Sequence, residues 1–208
     1  MIRTLRVLAL CCVFLPVMAA AQPQVDVDYR LIKPAQPVMG KKIEVIEFFS
    51  YACPHCGEFE PALQSWLKRK PKDVDYRMVP MVFRSQWKPP AKLFYTLETM
   101  GIIDQYHQKV YDAFYKEGKE LTTDEAIKDW AKSAGIDAAK FAQTYDSFGV
   151  ETKVQRAMTI GRAYGVQFTP SLAVNGKYYT GASMTGNDYG RFFGVLDQLI
   201  DMERRGAK

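Results

Sequence analysis

Two cysteines at positions 53 and 56 form a C-x-x-C motif shortly after an apolar, β-prone run, residues 43–49. Because only Pro54 and His55 lie between them, a helix that begins at Pro54 would bring the two sulfurs together across its first turn. Cys53 would then occupy the N-cap, where free backbone N–H groups and the helix dipole favour a thiolate. The spacing therefore predicts a redox dithiol in which Cys53 is the nucleophile and Cys56, one turn further in, is the resolving thiol.

The two residues between the cysteines fit this chemistry. Pro54 suits the first helical position, since the N–H that proline lacks would have no helical partner there. His55 adds a hydrogen-bond donor and, when protonated, a positive charge, and we expect that donor to lie beside the Cys53 sulfur. Both residues are therefore predicted to belong to the catalytic motif.

Two other uses of a C-x-x-C pair, a zinc site and a structural disulfide, have less support in this sequence. A zinc site needs four ligands, yet no cysteine follows Cys56, and His107 is the only histidine besides His55. A structural disulfide between residues three apart closes almost no loop, so it would remove little entropy from the unfolded chain. The sequence therefore predicts redox chemistry and no metal site.

The first 21 residues have the pattern of a secretory signal peptide. Two arginines are followed by an apolar run, residues 7–18, and by three alanines at 19–21 that suit cleavage. Cleavage after residue 21 would remove Cys11 and Cys12, so every remaining cysteine would belong to the dithiol motif. A chain whose only thiols form such a pair suits an oxidising compartment, the periplasm.

Charge and hydropathy exclude other classes of protein. The formal net charge of +5 falls to +3 when the two arginines of the leader are removed, which is too small to indicate nucleic-acid binding. After residue 21 no stretch approaches the ~20 apolar residues of a membrane helix. The proline-rich stretch 22–40 is predicted to be an arm with a short edge strand near 28–31.

Hydrophobic periodicity predicts the elements that position the dithiol. Residues 43–49 form a strand, the helix from Pro54 follows, and alternation over 74–79 gives a second strand, so the motif belongs to a βαβ unit. From about Trp87 the pattern becomes helical for roughly 75 residues, and its last helix is predicted over 151–164. Two short strands joined by Asn175-Gly176 in a type I′ turn then precede a last helix.

Glu47 interrupts the apolar strand that leads to the motif. By alternation it shares a face with Ile43, Val45 and Phe49. It is therefore either a carboxyl buried beneath the dithiol or an acid at a sheet edge, and burial is favoured.

This order of elements, with a helical block inside it, is that of the thioredoxin fold. The chain after residue 21 resembles the DsbA family of periplasmic thiol:disulfide oxidoreductases in residues 47–50, 53–56 and 166–170. The motif Cys-Pro-His-Cys is typical of that family, whereas reductive thioredoxins typically carry Cys-Gly-Pro-Cys. The resemblance implies an α/β thioredoxin fold with an inserted α-helical domain, divided into a signal peptide at 1–21, thioredoxin parts at 22–86 and 157–208, and the insertion at 87–156.

The resemblance also implies roles for residues outside the motif. Pro170 should follow a cis peptide bond, although most X-Pro bonds are trans, and Thr169 should face the dithiol and offer its backbone to an extended substrate. Some members of the family pair the buried glutamate with a lysine on the next strand, but this chain has Asp75-Tyr76-Arg77 there. The neutralising partner of Glu47 is thus left open, and a proton-relay role towards Cys56 is the expectation.

The function expected from the motif and the resemblance is that of a monomeric periplasmic oxidase. It would donate its Cys53–Cys56 disulfide to newly exported proteins, use no other cofactor, and be reoxidised by a DsbB-like, quinone-linked membrane protein. One alternative is a disulfide isomerase or reductase of the same compartment, although the short arm 22–40 cannot be the dimerisation domain of a DsbC-type isomerase. The other alternative is a metallochaperone that binds Cu(I) through the two thiols.

Overall fold

A computed structural model describes residues 22–206. The predicted signal peptide, with Cys11 and Cys12, lies outside the described residues. The strands are β1 (Arg30–Leu31), β2 (Ile43–Phe49), β3 (Val74–Pro80), β4 (Ser171–Val174) and β5 (Tyr178–Gly181). The helices are α1 (Pro54–Arg69), α2 (Lys88–Thr99), α3 (Ile103–Tyr115), α4 (Asp124–Ser133), α5 (Ala138–Tyr145), α6 (Phe148–Ala163) and α7 (Tyr189–Gly206).

The strands form one five-stranded sheet in the order β1-β5-β4-β2-β3. β2 and β3 are parallel, with Glu47 opposite Met78, and α1 is the crossover between them. All the other pairings are antiparallel. The predicted βαβ unit is therefore confirmed, and β2 lies inside the sheet, where it can hold the dithiol rigidly.

Two hydrophobic clusters cover the sheet. One joins α1 and α7 to the face that carries Val45, and its largest members include Phe59, Trp66 and Phe192. The other joins the helices α2 to α6 to the face that carries Phe48. The apolar stripes of the helices are thus core packing, and α1 is held between the sheet and its neighbours.

The predicted hairpin and arm are present. Asn175 and Gly176 have φ values of 50° and 66°, the left-handed conformation that a type I′ turn requires at both central positions. The arm contributes the short edge strand β1, which pairs with β5. The division into domains remains a prediction, and its boundary after residue 156 falls inside α6.

Two short 3₁₀ helices and one helix start differ from the sequence expectations. Ser85–Trp87 and Ala182–Thr185 each form a 3₁₀ turn, too short for periodicity to reveal. α6 begins at Phe148 instead of Glu151, because the Ser147 side chain accepts a hydrogen bond from the backbone N–H of Val150 and caps the helix. Within residues 22–206, no helix is long and apolar enough to cross a bilayer.

Candidate active site

The dithiol lies where β2 passes into α1. Cys53 is the N-cap of α1, Pro54 stands in the first turn, and the N–H of Cys56 donates to the carbonyl oxygen of Cys53 at 3.0 Å. Both thiols are free in this structure. Cys53 is 5% exposed and Cys56 only 1%, so the sulfur that a substrate can reach is that of Cys53.

The surroundings favour ionisation of one thiol and oppose that of the other. A hydrogen bond from the Cys56 thiol is the largest cause that lowers the pKa of Cys53 to about 6. The Thr169 side chain and the backbone N–H groups of Cys56 and His55 act in the same direction, while burial opposes them. Burial raises the pKa of Cys56 well above its usual value. A thiolate at Cys53 beside a neutral thiol at Cys56 is therefore the stable reduced form near neutral pH.

The reduced protein is expected to lose stability relative to the oxidised protein as the pH falls through about 6. The pKa of Cys53 is lowered from 9.0 to about 6, so the stabilisation by its thiolate is complete above about pH 9 and is lost on acidification through the folded-state pKa. Ultraviolet thiolate absorbance gives the titration, and denaturant unfolding of both redox forms gives the stability difference. A difference that does not change with pH would contradict the assigned thiolate.

The side chain of His55 does not lie where the sequence suggested. Its imidazole Nδ1 is 3.1 Å from Oε2 of Glu58, one turn along α1, and 76% of the side chain is exposed. The hydrogen bond that the ring donates to the Glu58 carboxylate raises the pKa of His55. The expected donor to the Cys53 sulfur is therefore the backbone N–H of His55, and the ring acts on the sulfur only through its charge.

His55→Ala is accordingly expected to raise the pKa of Cys53 by less than about one unit. The reduction potential should then fall by less than ~30 mV, which for a two-electron couple is the energy of one pKa unit. The backbone N–H remains in the variant, and only a solvent-screened charge is lost. Equilibration with glutathione measures the potential. Glu58→Gln is the matched control because it keeps the ring and removes its carboxylate partner. A shift far beyond ~30 mV would show that the imidazole contacts the sulfur.

Thr169 and Pro170 lie against the dithiol from the loop before β4. The Sγ of Cys53 is 3.5 Å from the carbonyl oxygen of Thr169, and the Thr169–Pro170 bond is cis, as predicted. Pro170 is buried, whereas Thr169 is partly exposed. The backbone of Thr169 is thus within reach of any chain that approaches the Cys53 sulfur.

Glu47 is buried beneath the dithiol. It is 1% exposed, so the prediction of burial is confirmed and the alternative of a sheet-edge acid is wrong. Burial and the charge of Glu60 raise the pKa of Glu47 to about 8, although a hydrogen bond from Tyr76 lowers it. The Tyr76 hydroxyl, on the next strand, donates to Oε2 of Glu47. No lysine is needed to neutralise the carboxyl, because burial and the charge of Glu60 keep it protonated near neutral pH.

A groove of about 470 Å³ runs beside the exposed edge of the motif. Its wall includes Ala52 and Pro54 from the dithiol segment and the aromatic side chains of Trp87, Phe114 and Tyr115. Tyr115 is 41% exposed. These aromatic side chains can pack against side chains of an unfolded polypeptide next to Cys53, and the rest of the wall is polar, with Arg84, Lys119 and Glu120.

Sequence reasoning missed the buried polar residues that lie around Glu47 and Glu60. These residues are Tyr51, Glu60, Tyr76, His107 and Tyr111. Glu60 carried one signal, because it lies four residues after Cys56 and therefore faces the same side of α1. Nothing in the sequence indicated that His107 lies near Glu60, since the contact between these two side chains depends on how α3 packs.

The fold and the dithiol define the class of protein. A C-x-x-C motif at the start of a βαβ crossover helix, facing an X-Pro loop before an antiparallel strand pair, is the arrangement of a thioredoxin-fold thiol:disulfide oxidoreductase. A family model described as a DSBA-like thioredoxin domain matches residues 44–189. The chain belongs to this family.

Named relatives agree with this assignment. The chain is 42% identical over 187 residues to the thiol:disulfide interchange protein DsbA of Bordetella parapertussis, with 89% of each chain covered. It is 36% identical over 182 residues to the protein of that name from Burkholderia cepacia, covering 86% of this chain and 85% of the relative. The crystal structure of Pseudomonas aeruginosa DsbA matches with a TM-score of 0.81 at 36% identity, over 86% of this chain and 94% of that one. The expected thioredoxin-like α/β fold and oxidoreductase activity are confirmed.

Proposed function

We propose that this oxidoreductase works as an oxidase that donates the Cys53–Cys56 disulfide to newly exported proteins. The observation that carries the direction is the stabilised thiolate, with the pKa of Cys53 lowered to about 6. Each unit by which the fold lowers the pKa of Cys53 stabilises the reduced form by roughly 1.4 kcal/mol at a pH where Cys53 is ionised. A favoured reduced form makes the disulfide a strong electron acceptor, and DsbA enzymes are the established example of this direction.

The reaction consists of two thiol–disulfide exchanges. A substrate thiolate attacks Sγ of Cys53, the bond between the two enzyme sulfurs breaks, and its electron pair passes to Cys56. A second substrate thiolate then attacks the substrate sulfur of the mixed disulfide, and Cys53 leaves as a thiolate. Departure is fast because a thiol of low pKa is a good leaving group. The substrate loses two electrons and the enzyme gains them.

Glu47 has a proton-transfer role in this proposal. The Cys56 sulfur leaves into a buried position, and burial raises its pKa, so it must receive a proton as the disulfide opens. Glu47 still carries a proton near neutral pH, because its pKa is raised to about 8. It can give that proton to Cys56 during reduction and take it back during reoxidation.

Substrate binding would use the backbone of Thr169 and the aromatic part of the groove. An extended chain can add to Thr169 as a short strand, which requires no particular sequence. The groove beside Trp87 and Tyr115 would hold apolar side chains, which unfolded proteins expose. Both contacts suit a general oxidant of unfolded chains.

The compartment and the electron acceptor complete the proposal. The leader at 1–21 would export the chain to the periplasm, where unfolded secreted proteins present their thiols. A DsbB-like, quinone-linked membrane protein would reoxidise the dithiol, so the monomer would need no cofactor besides its disulfide.

The reduction potential of the Cys53/Cys56 pair tests the direction. We expect equilibration with glutathione to show a disulfide more oxidising than the glutathione couple, and the oxidised protein to introduce disulfides into a reduced, unfolded substrate. A potential close to that of reductive thioredoxins would instead favour the reductase alternative. Anaerobic titration of the reduced protein with Cu(I) tests the metallochaperone alternative.

A further inference from the structure

Arg30 lies in the N-terminal arm, and the exchange reactions at the dithiol do not use it. It belongs to the edge strand β1, where its register partner on β5 is Tyr179, and its side chain is only partly exposed. The guanidinium Nη2 is 3.1 Å from the carbonyl oxygen of Tyr164 and also donates to the carbonyl oxygen of Gly165. A charged side chain of the arm is thus bound to two backbone carbonyls of a distant segment.

Those two carbonyls stand at the C-terminal end of α6. The N–H of Gly165 donates to the carbonyl oxygen of Arg162, and the N–H of Val166 donates to that of Gly161, both at 2.9 Å. Gly165 has a φ of 62°, so this is a Schellman motif, which satisfies two carbonyls of the last turn and leaves the later ones free. The guanidinium binds two of the later carbonyls, where the negative end of the helix dipole favours a cation. Arg30 therefore fixes the point at which the chain leaves α6.

The same guanidinium lies on the ring of Tyr179, which is fully buried. Its Cζ is 4.0 Å from the centroid of that ring, a cation–π contact. The Tyr179 hydroxyl donates to the carbonyl oxygen of Phe168 at 3.4 Å, and the Ser171 hydroxyl donates to the same oxygen at 3.0 Å. The rings of Phe168 and Tyr179 also meet edge to face, with centroids 5.6 Å apart. Tyr179 thus holds Phe168 in place, and Arg30 covers the tyrosine that does so.

These contacts hold both ends of the segment 164–168, which leads directly into Thr169. The carbonyl oxygen of Thr169 is 3.5 Å from the Sγ of Cys53, and its backbone is the strand that the proposed function offers to a substrate. A backbone that already has its binding conformation loses less freedom when a polypeptide pairs with it. Order in 164–168 therefore determines how well Thr169 can receive a substrate.

We propose that Arg30 is a positioning residue for substrate binding, which holds the segment 164–168 so that the Thr169 backbone is presented to an extended polypeptide. The inference rests on the proposed function, because it concerns the binding role of Thr169. Arg30 acts through the end of α6 and through Tyr179, and not on the sulfurs. Its loss should weaken the binding of long substrates and leave the reactivity of the disulfide unchanged.

Two thiol reductants of different size test this role in stopped-flow reduction of the purified disulfide protein. One is an extended peptide with two cysteines, and the other is dithiothreitol, which is too short to pair with a strand. We expect Arg30→Met to raise the half-saturating concentration of the peptide about fivefold and to keep the limiting rate within about twofold, the pattern of lost binding. The rate with dithiothreitol and the equilibrium constant with glutathione should both stay within about twofold of wild type.

Arg191→Met is the matched control. Arg191 comes from α7 and binds the same arm through Asp28, with 2.5 Å between its Nη2 and the carboxylate Oδ1. The substitution removes an arginine that anchors the arm but leaves the contacts at 164–168 in place. Its half-saturating concentration for the peptide should therefore remain within about twofold of wild type.

Three results would overturn the proposal: wild-type kinetics in Arg30→Met, an equal loss with peptide and with dithiothreitol, or an equal loss in Arg191→Met. If Arg30→Met does not fold, Tyr179→Phe decides, since it is almost isosteric and removes the hydroxyl that binds Phe168. It too must weaken the binding of the peptide alone. A wild-type rate that does not saturate with the peptide would refute the proposed binding by Thr169, and the role of Arg30 with it. A reducing potential in the wild type would refute the oxidase direction and leave the role of Arg30 standing.

Discussion

Cys53→Ser is expected to abolish disulfide donation, whereas Cys56→Ser is expected to trap mixed disulfides through Cys53. The Cys53 sulfur is the one that substrate thiolates can reach and the one stabilised as a thiolate. Without Cys53 no mixed disulfide can form on the enzyme. Without Cys56, the Cys53 thiolate can still attack a disulfide of a substrate and displace one of its sulfurs as a thiolate. The Cys56 thiol that would then release the enzyme from the mixed disulfide is gone, so only a second substrate thiol can do so. These are the largest losses that any single substitution in the chain should cause.

The two thiols can be told apart by alkylation of the reduced protein. Near pH 5 about a tenth of Cys53 is ionised if its pKa is about 6, while Cys56 stays protonated. Iodoacetamide should therefore label Cys53 alone, and mass spectrometry of the peptides gives the ratio. Ser50→Ala is a suitable control, because it changes a neighbour of the motif and leaves both sulfurs. Equal labelling of both cysteines near pH 5 would contradict their assigned roles.

The framework of this site could be predicted from local sequence because local physics determines it. Pro54 favours a helix start, which places the sulfur of the preceding Cys53 at the N-cap. The Asn175-Gly176 pair specifies its turn through the positive φ of both residues. The alternation of β2 placed Glu47 on the same face as Val45 and Phe49, which favoured burial, and α1 covers the face that carries Val45. In each case the determining residues lie within a few positions of one another.

The environment of Glu47 could not be predicted, because three separate elements assemble it. Tyr76 comes from β3, Glu60 from α1 and His107 from α3, and their proximity depends on the packing of the inserted helices. The hydrogen bond between the His55 ring and Glu58 was missed for a different reason. Glu58 lies three residues further on, one turn along the helix, where side chains commonly pair, and this competing partner takes the ring away from the sulfur.

Pro170→Thr is expected to make substrate complexes accumulate in cells. The carbonyl oxygen of Thr169 lies 3.5 Å from the Cys53 sulfur, and proline contributes no N–H beside it. Threonine adds a donor at that point, which can hydrogen-bond to either sulfur and stabilise the mixed disulfide against attack by the second thiolate. The new donor also offers the reduced dithiol a hydrogen bond that competes with Cys56 for the thiolate.

Non-reducing gels of cells whose free thiols have been alkylated would show these complexes as a ladder that a reductant collapses. Several times more enzyme should be in complexes than in wild type, while each purified exchange step retains its direction. Pro34→Thr is the matched control, because Pro34 is exposed in the N-terminal arm and the same substitution there leaves the sulfurs untouched. If Pro170→Thr traps no more substrate than Pro34→Thr, the Thr169 backbone does not hold the substrate during release, and the groove beside Trp87 and Tyr115 must bind it alone.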